Sequence, residues 1–200
     1  MLEFLDIVDE NGEPTGKTVE RKKAHAEGIR HRTSHVWLAR KRNGRVEILM
    51  QKRAENKDSY PGCYDISSAG HIPAGDGFEE SAVRELREEL GVKADEGELI
   101  YCGDRNVQWD DAFFGKPFHD NQFSRVFLLW RDMEEDQFTL QKEELESVKW
   151  IPFDGCVDGV LNNKFKNCIA TDELMILKNG IEKTERMFSD ENGKYRQKDK

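Results

Sequence analysis

Apolar and polar positions alternate in short runs along most of this chain and switch to a helical period in two places. Residues 3–8, EFLDIV, read as a first strand, and DENGEPTG after it supplies turn residues. TVERKKAHAEG leads away from that turn. SHVWLAR and VEILMQKR flank KRNG, the pattern of a hairpin. YPGCYDISSAGH reads as loop and short strand, ending at Gly70. From about Phe78 to Leu90 apolar residues recur at three- and four-residue spacing, which predicts a helix. Asp76 is its expected N-cap, with Glu79 as the reciprocal capping partner, and Gly91 stands where a left-handed residue closes a helix. GELIYCG, FSRVFLLW and SVKWIPF follow as strands, then TDELMILKNGIEK as a last helix starting at Thr171 or Asp172. Strands on both sides of a central helix, with a second helix late, predict a mixed α/β (α+β) sandwich. Residues 1–183 are expected to form one domain, and 184–200 a frayed polar tail.

Composition narrows the partners. Two hundred residues, 36% of them apolar, with 11 Phe and 4 Trp, suffice for one sizeable core. A net charge of -9 argues against a nucleic-acid polymer or a membrane surface as partner. The charge is uneven: Lys17 to Arg53 holds 12 Lys and Arg against 3 Asp and Glu. A basic third on an acidic protein suits an anionic small ligand, and equally a solvated surface. Four cysteines without C-x-x-C spacing, and no signal-peptide pattern, read as reduced thiols of a cytoplasmic protein. No apolar run approaches ~18 residues, so no spanning helix is expected.

The helix over 78–90 carries an unusual charge pattern. At about 100° per residue, with Glu85 at zero, Glu88 falls near -60° and Glu89 near +40°. Ala82, Leu86 and Leu90 fall between about 60° and 140°, so three carboxylates form a ridge beside the apolar stripe. Like charges four residues apart destabilise a helix by a few tenths of a kcal/mol. A divalent cation reverses that repulsion, and Mg²⁺ takes carboxylate oxygens together with substrate phosphates. A solvated acidic face is the alternative reading of E-x-x-E-E alone.

The whole stretch 70–92, GHIPAGDGFEESAVRELREELGV, closely resembles the Nudix box through Gly70, Arg84, Glu85, Leu86, Glu88, Glu89, Gly91 and Val92. The resemblance implies a Nudix-type α/β/α sandwich with a mixed sheet and a glutamate-bearing catalytic helix. It implies Mg²⁺ or Mn²⁺ held by Glu85, Glu88 and Glu89, with the Gly70 carbonyl as a further ligand. It implies hydrolysis of a diphosphate linked to another moiety, by water attacking phosphorus. The general base is one of these glutamates or a loop acid, Glu144 being favoured within LQKEELESVKW. Asp76 departs from the box, which has Glu there pairing with the box arginine, Arg84; altered loop packing is expected.

Outside the box, HAEGIRHRTSHVWL, QKRAENKDSYPGCYDISSAGH and NQFSRVFLL resemble the isopentenyl-diphosphate isomerase branch. That branch carries a metal centre of three histidines and two glutamates, with a catalytic cysteine and glutamate. His25, His31 and His71 match the histidines, while the glutamate pair falls on Asp120 and Gln122 and the cysteine on Ala69. Alanine neither donates nor accepts a proton, so a hydrolase on an isomerase-like scaffold is expected. The histidines with Asp120 are a candidate second metal site, and His71 a candidate phosphate contact. Arg32 and Arg53 carry guanidinium forks suited to phosphate, and equally to salt bridges. Trp109 and Phe114 lie in VQWDDAFFGKPFHDNQF, read as an aromatic loop that stacks on substrate or plugs the sheet edge. A small-molecule diphosphate is the expected substrate and a homodimer the family-level expectation. The competing readings are isomerase-type activity and a non-catalytic nucleotide-binding module.

Overall fold

Two apolar layers enclose one mixed sheet in the computed structural model, which describes residues 2–57 and 59–196. The elements run β1 (Phe4–Val8), β2 (Pro14–Glu20), α1 (Arg21–Glu27), β3 (His31–Arg42), β4 (Arg45–Arg53), β5 (Tyr64–Asp65), β6 (Ser68–His71), α2 (Phe78–Leu90), β7 (Ile100–Phe113), β8 (Lys116–Trp130), β9 (Leu145–Pro152), α3 (Phe153–Leu161) and α4 (Thr171–Arg196). The main sheet has the order β5-β4-β3-β8-β7, with β6 on β3 and β9 on β4. β3 and β8 run parallel and the other pairs antiparallel.

β3 is the central strand and is buried on both faces, as its near-continuous apolar run requires. Its Val36 and Leu38 join Ala82, Leu86 and Leu90 of α2 in one core. The alternate residues Trp37 and Ala39 join Cys156 of α3 and Leu174, Leu177 and Ile181 of α4 in another. Period-two alternation in β3 therefore builds the predicted α/β/α sandwich. His35 pins α4 to the sheet. Its Nδ1 lies 3.0 Å from Glu173 Oε1, Trp37 donates to the same oxygen at 3.1 Å, and Arg105 reaches Oε2 at 3.4 Å. Burial opposes both charges, yet each partner holds the other ionised: His35 lies above its ordinary value and Glu173 below.

The β3–β4 hairpin turns on Asn43 and Gly44, both at positive φ, as the Asn-Gly pair requires. α2 spans the predicted residues and ends at Gly91, φ 70°, where a Cβ would also meet Thr139 at 2.7 Å. Its cap lies one residue later than expected, at Gly77, whose N–H is accepted by Glu80 at 3.4 Å. Asp76 is held back in a turn by its N–H bond to the Pro73 carbonyl. α1, with β1 and β2, forms a satellite core of Leu5, Val19 and Ala24. The aromatic stretch read as a loop is instead a continuous β7–β8 ribbon, paired from Ile100↔Leu128 to Phe113↔Lys116. α4 continues helical through Arg196, into the stretch set aside as a tail, whose residues 197–200 lie outside those described.

Candidate active site

β6 and α2 meet at the acidic ridge. Glu89 is buried, Glu85 part-buried and Glu88 about half exposed, the order their angles around the helix predict. Gly70 lies so close beneath Glu85 that a Cβ there would fall 2.3 Å from its Cδ. Ser68, two residues earlier and fully buried, donates its hydroxyl to Glu89 Oε2 at 2.7 Å. Burial pushes Glu85 up to about 7 against the opposing charge of Arg84. Burial likewise pushes Glu89 up to about 8, with the Ser68 hydrogen bond opposing and Glu85 and Glu144 adding to it. A buried and a part-buried acid with such proton affinity beside a third carboxylate form a donor set that gains from a hard cation.

Arg84 supplies positive charge within the chain. Its Nη1 lies 2.9 Å from Glu85 and 3.2 Å from Glu88, and Nη2 donates to the His71 carbonyl at 3.3 Å. The pairing with Asp76 that the box implies is replaced by these contacts, and the Asp76 carbonyl accepts from Arg32 at 3.0 Å instead. Glu144 sits in an ion pair with Lys57, and both charges act on Glu89.

The two candidate phosphate-binding arginines are engaged within the protein. Arg32 is buried, bonded to Asp6 at 3.0 Å and to Asp76, with Phe78 under its guanidinium. It ties β1 to the loop before α2. Arg53 bonds Asp65 at 3.0 Å and the Ser59 carbonyl, closing the loop after β4. Both guanidinium groups are thus tied to carboxylates and carbonyls of the scaffold, although the buried Nε of Arg32 has no partner.

The three histidines converge from α1, β3 and β6, with their nearest donor atoms within 4.8 Å of one another. His25 and His71 place their Nε2 atoms 3.0 Å apart. His31 donates Nδ1–H to the Ile29 carbonyl at 2.8 Å, which leaves a lone pair on its buried, unpartnered Nε2. Asp120 Oδ1 lies 3.7 Å from His25 Nδ1, and neither atom has a hydrogen-bond partner. Its other oxygen accepts from Trp109 Nε1 at 3.2 Å. Burial drives His25 down to about 3 and lowers His31 and His71, so all three imidazoles are neutral, while it raises Asp120 to about 6. Neutral imidazoles with orphaned lone pairs fit a transition-metal ion. Trp109, Phe113, Phe118 and Tyr60 pack together over this cluster, and Phe118 stacks on His25 at 4.5 Å. Phe114 stands apart at the ribbon tip, 74% exposed and at φ 51°.

The NUDIX domain family model matches residues 29–167. The chain belongs to the NUDIX family. It is 42% identical over 156 residues to Nudix hydrolase 3 of Arabidopsis thaliana, covering 76% of this chain but 19% of that protein. It is 36% identical over 168 residues to an uncharacterized Nudix hydrolase of Clostridium acetobutylicum, covering 84% and 78% respectively. Among solved structures, a Deinococcus radiodurans protein superposes with TM-score 0.62 at 18% identity, covering 88% of this chain and 98% of that one. The NUDIX domain of Shewanella oneidensis NrtR, solved with ADP ribose, gives 0.52 at 15% identity, covering 76% and 87%. Both likenesses concern the fold. Nudix hydrolases act on pyrophosphate bonds and use divalent metal ions, which is the chemistry that the acidic ridge of this Nudix domain suits.

Ser68 and Lys57 are the site residues that the sequence pattern passed over. Ser68 had a usable signal, since strand period two puts it on the same face as Gly70. Lys57 had none, because its loop brings it to Glu144 from 87 residues away.

Proposed function

We propose that this Nudix domain is a divalent-metal-dependent hydrolase of a nucleoside-diphosphate-linked or other organic pyrophosphate. The observation that carries the reading is the placement of part-buried Glu85 over Gly70 beside buried Glu89 over Ser68, with proton affinities raised to about 7 and about 8. Glu85, Glu88, Glu89 and the Gly70 carbonyl would hold Mg²⁺ or Mn²⁺. When bound, the cation would offset charge developing on the phosphoryl oxygens and lower the pKa of the attacking water. Within the chain, Arg84 bridges Glu85 and Glu88 through one nitrogen and so holds the two carboxylates together. Proton acceptance falls to the loop acid Glu144, close enough for its charge to act on Glu89, because the Glu89 carboxylate is committed to the Ser68 hydroxyl and the cation.

The histidines with Asp120 are a candidate site for a second, softer cation, on the strength of the orphaned His31 Nε2 and Asp120 Oδ1. Isomerisation is disfavoured by Ala69, which sits on β6 opposite His35 and has no exchangeable proton. A purely binding module is disfavoured by retention of all three box acids. Trp109 packs on Phe118, which stacks on His25, and a base-stacking role for it is tested by including ligands such as the ADP ribose of the Shewanella domain.

The test is a panel of nucleotide sugars, ADP-ribose, dinucleoside polyphosphates, nucleoside triphosphates and isoprenoid diphosphates with Mg²⁺ or Mn²⁺, followed by product analysis. Phosphorylated hydrolysis products are expected. Inactivity throughout with tight nucleotide binding would overturn the reading in favour of a binding module, and rearranged allylic diphosphate in favour of an isomerase.

A further inference from the structure

The strand β6 and the helix α2 are matched in pitch at the acidic ridge. Two residues of strand advance about 6.7 Å, and four residues of helix advance about 6.0 Å. Ser68 and Gly70 therefore stand opposite Glu89 and Glu85 rung for rung. The contacts follow that match: Ser68 Oγ to Glu89 Oε2 at 2.7 Å, and Gly70 directly beneath the Glu85 carboxylate. The two small residues do different work. Gly70 yields space, whereas Ser68 is fully buried and spends its hydroxyl proton on Glu89.

From this geometry we infer that Ser68 is a positioning residue for the hydrolytic site, holding the Glu89 carboxylate in the one rotamer that turns its other oxygen outward to a cation. This rests on the reading of Glu89 as a metal ligand. With Oε2 fixed by Ser68, the other oxygen keeps both its lone pairs to offer a cation. Without the hydroxyl that carboxylate is short of a donor in a place water does not reach, and its side chain gains rotational freedom. Glu88 lies on the exposed side of the ridge and has Arg84 to hold it, so the demand for an internal donor is specific to Glu89. Ser68 acts through Glu89 and needs no contact with substrate. Partners of metal ligands in comparable settings are worth about 10- to 100-fold in metal affinity or activity.

The test compares Ser68→Ala, Ser68→Cys and Ser68→Thr with wild type and Glu89→Gln. It measures Mn²⁺ dissociation by electron paramagnetic resonance, together with kcat and KM on whichever panel substrate is hydrolysed. Ser68→Ala is expected to weaken Mn²⁺ binding about tenfold or more and to lower kcat with little change in KM. Ser68→Thr keeps the hydroxyl and should recover most of both. Ser68→Cys keeps the volume but offers only a weak S–H donor, so it should behave like alanine even if the alanine variant loosens the strand. Mn²⁺ affinity and kcat within twofold of wild type in Ser68→Ala and Ser68→Cys, with both lost in Glu89→Gln, would overturn the role of Ser68. Unchanged behaviour in Glu89→Gln would instead remove the assignment of Glu89 on which it stands.

Discussion

Replacing Gly70 by alanine should separate catalysis from stability. The added Cβ would lie 2.3 Å from Cγ, Cδ and Oε1 of Glu85. Carbon atoms sit comfortably at about 3.5–4.0 Å, so the carboxylate must retreat by about 1.2 Å or more. The obstacle is the far end of a side chain and not backbone, so the fold yields at little cost. Gly70 is a strand residue without the left-handed backbone that forbids alanine, and at compatible positions alanine in place of glycine stabilises by about 0.4–1 kcal/mol. The melting temperature should thus stay within a few degrees of wild type. Catalysis tolerates such displacement poorly: about 1 Å of misplacement costs about 10²-fold, equivalent to about 2.7 kcal/mol in the barrier. Turnover on the best panel substrate, measured beside thermal denaturation of the same preparation, reads both quantities. Wild-type turnover in a folded Gly70→Ala variant would refute the reasoning, because it would mean that the placement of Glu85 does not matter.

Other outcomes follow from the same contacts. Glu89→Gln should lower kcat by about 10²-fold or more; undiminished turnover would exclude Glu89 from the chemistry. Burial lifts Glu85 and Glu89 above the unfolded carboxyl value of 4.5, so the metal-free protein is stabilised while they are protonated and loses that as pH rises through about 7 and 8. Chelator-treated Glu89→Gln, which mimics the protonated acid, should therefore melt above wild type at pH 8.5, and the margin should close by pH 5; a margin of the opposite sign at pH 8.5 would contradict the burial argument. Glu173→Ala leaves His35, Trp37 and Arg105 without their shared partner and should cost about 3–5 kcal/mol, read by urea denaturation; a loss under 1 kcal/mol would show that the pair is not what pins α4. Co²⁺ titration followed by visible absorption should lose the histidine-type bands in His25→Gln; unchanged spectra would place that cation elsewhere.

The acidic ridge was legible because everything that makes it is local. Helix period, a terminating glycine and a run of acids lie within residues 70–92, and Asn43-Gly44 announces its hairpin in the same way. What escaped reading depends on distant contacts or blurred patterns. α1 is polar and buries only Ala24, so it shows no apolar stripe. α3 contains Gly155 and Gly159, poor helix formers, and Gly159 is explained only by Phe165 packing into the space a Cβ would fill, 2.1 Å away. In the β7–β8 ribbon Val107, Trp109 and Phe113 alternate with exposed Asn106, Gln108 and Asp110, but Arg105 and Asp111 share the inward parity, which blurs the period-two signal. Arg32 and Arg53 look like phosphate ligands in one dimension, and only the fold reveals the carboxylates and carbonyls that engage them. The meeting of His25, His31 and His71 came from the resemblance, since nothing in their spacing puts α1, β3 and β6 side by side.

The central claim is that the ridge on α2 exists to hold a cation. Crystals soaked with Mn²⁺ and a non-hydrolysable diphosphate analogue, with data collected at the manganese edge, test it most directly. An anomalous peak within coordination distance of Glu85, Glu88 and Glu89, facing the analogue's phosphates, is the predicted result. Anomalous density confined to the histidines, with the ridge bare and Arg84 still bridging Glu85 and Glu88, would contradict it.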